Sequence, residues 1–101
     1  MPEPTHLPIQ DEALRRARLD EATCDGLRWI AVRISDRRPH ALMTADAREA
    51  LALSAAHNAH PHDRPAADEL ERALLLRMPH VDPPTTGADY AEILHRATWK
   101  A

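Results

Sequence analysis

Alanine supplies 19 of the 44 apolar residues in this chain of 101, and phenylalanine is absent. A core assembled from such side chains is thin, because each buried alanine removes little area from water at about 25 cal/mol per Å². The length suits one domain, or one small domain with a tail, and a chain of that size buries a modest fraction of its surface. Together these points predict a marginal monomer that gains stability by association.

Thirteen basic residues stand against 16 acidic ones, for a net charge of -3. That balance excludes a surface dominated by a nucleic-acid-attracting field, while leaving room for a local basic patch. Cys24 is the sole cysteine, so no intrachain disulfide is expected. No apolar run approaches the roughly 20 residues of a transmembrane helix, and residues 1–8 carry no apolar signal-peptide core. The expectation is a cytoplasmic protein without a membrane partner.

Pro2, Pro4 and Pro8 exclude a regular helix from residues 1–8, which read as an extended arm. Residues 9–24 read as a weakly amphipathic helix, with Ile9, Ala13, Ala17 and Cys24 on one face. Asp25-Gly26 is expected to end it, glycine being suited to the left-handed position after a helix. Residues 27–34 fit two patterns. Leu27, Ile30, Ala31 and Ile34 follow a helical period, whereas Ile30, Val32 and Ile34 alternate. The β-branched content and the turn-forming residues 35–39 favour a strand, paired with a short return strand over 40–43.

Thr44 is placed to cap a second helix over about 45–58. After the Pro-punctuated stretch 60–65, a third helix is expected over 65–78, with Ala67, Leu70, Ala73, Leu74 and Met78 on one stripe. A last helix is expected over 87–99, opened by Thr86 and striped by Tyr90, Ile93, Leu94 and Ala97. The predicted fold is therefore α+β: a short N-terminal arm, a helix, a β-hairpin, a helix and two short C-terminal helices. The predicted division is into residues 1–59 and 60–101. Were 27–34 helical instead, the chain would be an all-helical bundle.

Several features of the first half form a set. Pro8-Ile9 precedes the first helix and Gly26 closes it. Ile30 to Arg33 is an apolar segment, Arg38-Pro39 is followed by Ala41-Leu42-Met43, and Ala45-Asp46 through Glu49-Ala50-Leu51 opens the second helix. In these features, over residues 6–55, the chain resembles the Phd/YefM family of type II antitoxins, with its apolar strand, its hairpin and the start of its second helix. Arg37 stands where the family has a turn glycine, and the usual tyrosine of the second helix is missing. The resemblance implies a homodimer whose N-terminal half binds a DNA operator and represses its own operon. It also implies a C-terminal segment that folds on a toxin protein.

On that reading Arg15, Arg16, Arg18, Arg37 and Arg38 are the DNA-binding candidates, since the planar guanidinium fork suits phosphate and guanine. A solvated helix face is the competing reading, because Asp11, Glu12, Asp20 and Glu21 share the first helix. Leu75 and Leu76 lie off the stripe of the third helix and Trp99 lies opposite that of the last. All three are candidate partner contacts. His57, His60 and His62, with Asp63, have metal-ligand chemistry, but the linker position and Pro61 argue against a preformed site. No Gly-rich phosphate loop, G-x-S-x-G or H-E-x-x-H occurs, so neither an enzyme nor a cofactor is expected. A small helical adaptor without DNA binding is the alternative to the antitoxin reading.

Overall fold

The computed structural model describes residues 8–81 and 84–99. Four helices follow one another: α1 (Pro8–Arg37), α2 (Ala45–Ala59), α3 (Arg64–Arg77) and α4 (Gly87–Trp99). There is no strand among the described residues, so the α+β expectation is overturned and the architecture is all-helical. Residues 1–7 of the expected arm lie outside the described residues, while Pro8 opens α1, where its missing N–H is no loss.

The hairpin fails because α1 runs without a break through Gly26 and through the whole of 27–34. Leu27, Ile30 and Ala31 are fully buried and Ile34 nearly so, whereas Val32 is 58% exposed. That is the helical period, and alternation would have required Val32 to share the face of Ile30 and Ile34. Gly26 is a packing residue instead of a terminator. A Cβ there would lie 2.8 Å from Leu74 Cδ2 on α3. The helix ends where Arg38 precedes Pro39, a position that disfavours helical backbone.

The proposed return strand 40–43 retains one element of pairing. Leu42 forms a single antiparallel bridge with Thr86 rather than with 28–34. Around it, Met43 N–H donates to Thr85 O at 2.8 Å, Gly87 N–H to Ala41 O at 2.8 Å and Ala88 N–H to Pro39 O at 2.9 Å. The α1–α2 connection is thus laced to the start of α4. The family hairpin around Arg38-Pro39 is therefore not formed.

The later helices lie where their spacing places them. Thr44 Oγ1 accepts from Ala47 N–H at 3.0 Å, Asp63 from Ala66 N–H at 3.2 Å, and Thr86 from Asp89 N–H at 3.2 Å. Each satisfies a donor that a helix start leaves unpaired. One buried cluster joins all four helices, drawing on Ile30, Ala52, Ala56, Leu70, Leu74 and Leu94 among others. α1 packs most extensively against α4, and α2 against α3. The alanines of α2 answer the shortage of large side chains: Ala52, Ala55 and Ala56 are buried, and their small size lets neighbouring backbones come close.

Behind the end of α3, the half-buried Arg48 donates to Leu75 O at 2.6 Å, Met78 O at 2.8 Å and Pro79 O at 3.1 Å. Tyr90 Oη also donates to Pro79 O, at 2.6 Å. Burial of Tyr90 pushes its phenol above the ordinary value of 10, outweighing the nearby Arg48 charge. The folded pKa is the higher one, so this contribution is complete below pH 10 and is lost as pH rises through the folded value. Tyr90 is the only tyrosine, and ultraviolet titration of the phenolate should give a midpoint above 10. Tyr90→Phe should cost about 1 kcal/mol in urea unfolding at pH 7 and reduce the loss of stability at alkaline pH. A midpoint at or below 10 would contradict this account.

Candidate functional site

The five arginines expected to meet DNA do not form one patch. Arg15, Arg16 and Arg18 lie on the exposed N-terminal part of α1, whereas Arg37 ends that helix and Arg38 follows it. Nineteen residues of helix separate Arg18 from Arg37, about 28 Å at 1.5 Å per residue. The first group is also partly neutralised. Arg15 pairs with Glu12 at 3.1 Å and with Glu69 of α3, and Arg16 pairs with Glu12 at 3.2 Å. Hydrogen bonding to Arg15, reinforced by its charge and by Arg16, holds the Glu12 carboxyl below its ordinary range, and the same pairing raises Arg15. Arg37 and Arg38, by contrast, have no ion pair among the described residues.

Of the residues expected to meet a protein partner, Leu75 is partly buried against the core, and its carbonyl is taken by Arg48. Leu76 is 88% exposed. Trp99 ends α4, and its side chain lies outside the described residues. His57 and His62 are exposed, and His60 follows α2 as its C-terminal cap. Among the described residues no group of three or more His, Cys, Asp or Glu side chains is placed to hold a metal ion. No helix is long and apolar enough to cross a membrane among these residues.

The feature that the linear pattern did not reveal is a groove beside the C-terminal half of α1. A cleft of about 370 Å³ opens between Ile34, the α1–α2 connection at Leu42 and Met43, and Ala47, Ala50 and Leu51 of α2. Arg33, Arg37 and Arg38 line it as well. Leu42 is 62% exposed there. A second cleft, of about 400 Å³, continues across Arg33 and Arg37 to Trp29 and Val32, with Asp25, Arg28 and Asp36 also on its walls. A third, of about 240 Å³, runs from Trp29 and Ala22 to Ala55 and Ala59 of α2. Trp29 and Asp25 line both of these, as Arg33 and Arg37 line both of the first two.

The fold explains the placement. Burial of Leu27, Ile30, Ala31 and Ile34 against the other helices turns the opposite side of α1, with Val32 and Asp36, outward. Trp29 and Arg33 lie one turn apart at the margin, and the Arg33 guanidinium sits 5.0 Å from the Trp29 ring centroid. Arg28 is occupied by Asp25 at 3.3 Å. Arg33, Arg37 and Arg38 all lie at the negative end of the α1 dipole, which favours cations there. That gives them a structural role, while Arg37 and Arg38 remain exposed residues lining the cleft. Chemically the groove can bury apolar side chains and contact anions through its arginines. No protein-family model, curated protein or solved structure matches the chain.

Proposed function

We propose that the chain is a small helical protein-interaction module that receives a partner in the α1–α2 groove. The carrying observation is the coincidence of an open, largely apolar cleft lined by the exposed Leu42 with a neighbouring cleft lined by the exposed Val32. Scattered exposed apolar residues are ordinary on any surface. Here Leu42 lines a cleft of about 370 Å³ and Val32 a neighbouring one of about 400 Å³, both in the size range of binding pockets. The thin alanine-rich core supports the same reading, since a bound partner adds stability by mass action.

The antitoxin-like reading, a DNA-binding dimer that neutralises a toxin, rested on the hairpin over 28–43. With that segment helical and the arginine candidates divided between distant parts of α1, no observation favours the DNA half. The toxin-binding half was expected of the C-terminal segment through Leu75, Leu76 and Trp99. Neither Leu75 nor Leu76 lines the groove, and the Trp99 side chain lies outside the described residues.

Ala50 is exposed and lines the cleft, so Ala50→Arg fills it without entering the core. Helical peptides selected from a display library against the full chain should lose at least tenfold in affinity for the Ala50→Arg variant. Its circular dichroism and melting point should stay unchanged. Selected peptides indifferent to Ala50→Arg would place binding elsewhere and overturn the proposal.

A further inference from the structure

We infer that the segment received by this groove is an acidic amphipathic helix, an inference that rests on the groove being a docking site. Charge complementarity carries the choice of occupant. Arg33, Arg37 and Arg38 are three of the residues lining the cleft, and none of them has an ion pair among the described residues. Arg15 and Arg16 pair with Glu12, Arg28 with Asp25, Arg64 with Asp68 and Arg96 with Glu92, while Arg48, Arg72 and Arg77 donate to backbone carbonyls or to Cys24. What sets Arg33, Arg37 and Arg38 apart is that all three line one cleft. The acidic groups on the adjoining cleft walls are Asp25, already paired, and Asp36. In a chain of net charge -3, the groove lining is thus locally cationic.

The apolar floor favours a peptide over a nucleic acid. Met43, Ala47, Ala50 and Leu51 offer nothing to a phosphate but can bury apolar side chains. One face of the Trp29 ring, of the kind a nucleobase would use for stacking, is already taken by Arg33. A helix fits better than a strand, because the groove walls are helices and the one bridge-forming residue beside them, Leu42, is engaged with Thr86. A cleft of about 370 Å³ takes about two aliphatic side chains, since a dry cavity of roughly 150 Å³ holds one benzene. A helix presenting leucines at i, i+3, i+4 and i+7 supplies them. Its flanking glutamates would then meet guanidinium forks.

The test uses the full chain, isotopically labelled for amide NMR, and three synthetic helical peptides of about 16 residues. They share a leucine stripe and carry glutamate, glutamine or lysine at the flanking positions. The glutamate peptide should perturb the amides of Leu42, Ala50 and Leu51 and bind about tenfold tighter than the glutamine peptide at low salt. The lysine peptide should be weaker still. Raising salt to about 0.5 M should erase most of that preference. The double variant Arg37→Glu, Arg38→Glu should lose about tenfold toward the glutamate peptide and gain toward the lysine peptide, a reversal that misfolding cannot mimic. Equal binding of glutamate and glutamine peptides at the groove would overturn the acidic partner while leaving the docking site standing. If no peptide perturbs the groove amides at about 1 mM, the docking site itself fails. Duplex DNA that shifts Arg37 and Arg38 amides equally in wild type and Ala50→Arg would show a nucleic-acid surface instead and overturn the inference.

Discussion

Gly87→Ala is expected to destabilise the protein by about 3 kcal/mol or more, the upper range for forcing atoms into an occupied space. A Cβ at this position would overlap the Arg38 carbonyl oxygen and lie 2.7 Å from Ile34 Cγ2. The first obstacle is backbone, held by the hydrogen bonds that Gly87 and Ala88 donate to Ala41 and Pro39, so relief requires moving the whole connection. Gly26 provides the internal comparison. Its added methyl would meet the end of the Leu74 side chain, which can rotate, and alanine is the better helix former by about 1 kcal/mol. Gly26→Ala should therefore cost much less. Urea unfolding of both variants checks the contrast, and equal losses would show that backbone approach at Gly87 is not the cause.

Arg48→Ala is expected to cost about 3 kcal/mol, lowering the melting temperature by about 15 °C at this chain length. The side chain reaches from the first turn of α2 to three carbonyls at and just past the end of α3, and among the described residues no other side chain donates to Leu75 O or Met78 O. Arg48→Lys should recover only part of the loss, because one ammonium cannot reproduce the planar fork. Tyr90→Phe and Arg48→Ala should be non-additive, since both groups donate to Pro79 O. Calorimetry on the two single variants and the double variant measures that coupling. Full recovery by lysine would contradict the role of the fork.

The three shorter helices were legible because local chemistry and tertiary packing agree in them. Thr44 and Thr86 act as caps, and Ala67, Leu70, Leu74 and Met78 are buried as their spacing implies. α1 was misread where two local cues contradicted a weaker periodic one. Gly26 looks like a stop because a lone sequence does not show that Leu74 will lie against it. Ile30, Val32 and Ile34 look like a strand because β-branched residues favour one, yet Leu27 and Ala31 already supplied the helical alternative. In α4 the expected stripe was rotated: Ile93 is 38% exposed, while Ala91 and Thr98 are buried instead. The groove was illegible for a related reason. It joins Arg33 to Leu51 across a connection whose path depends on Gly87, and no pattern along the chain records that meeting. The signal available was narrower: Trp29 and Arg33 one helical turn apart, with Arg37 one turn further.

The packing of α1 on α4 also sets the order in which this protein can be built. α2 and α3 are neighbours in sequence and can pair locally, at small loop-closure cost. The apolar face of α1 must wait for a helix that begins 50 residues after α1 ends. During synthesis the face of α1 that packs on α4 is therefore expected to remain incompletely covered until α4 has been made and laced to the 39–43 connection. A nascent chain halted before Gly87 should expose that face and be prone to association, whereas release of the remaining residues should close it in one cooperative step. The last helix is thus the one that commits the chain to its fold.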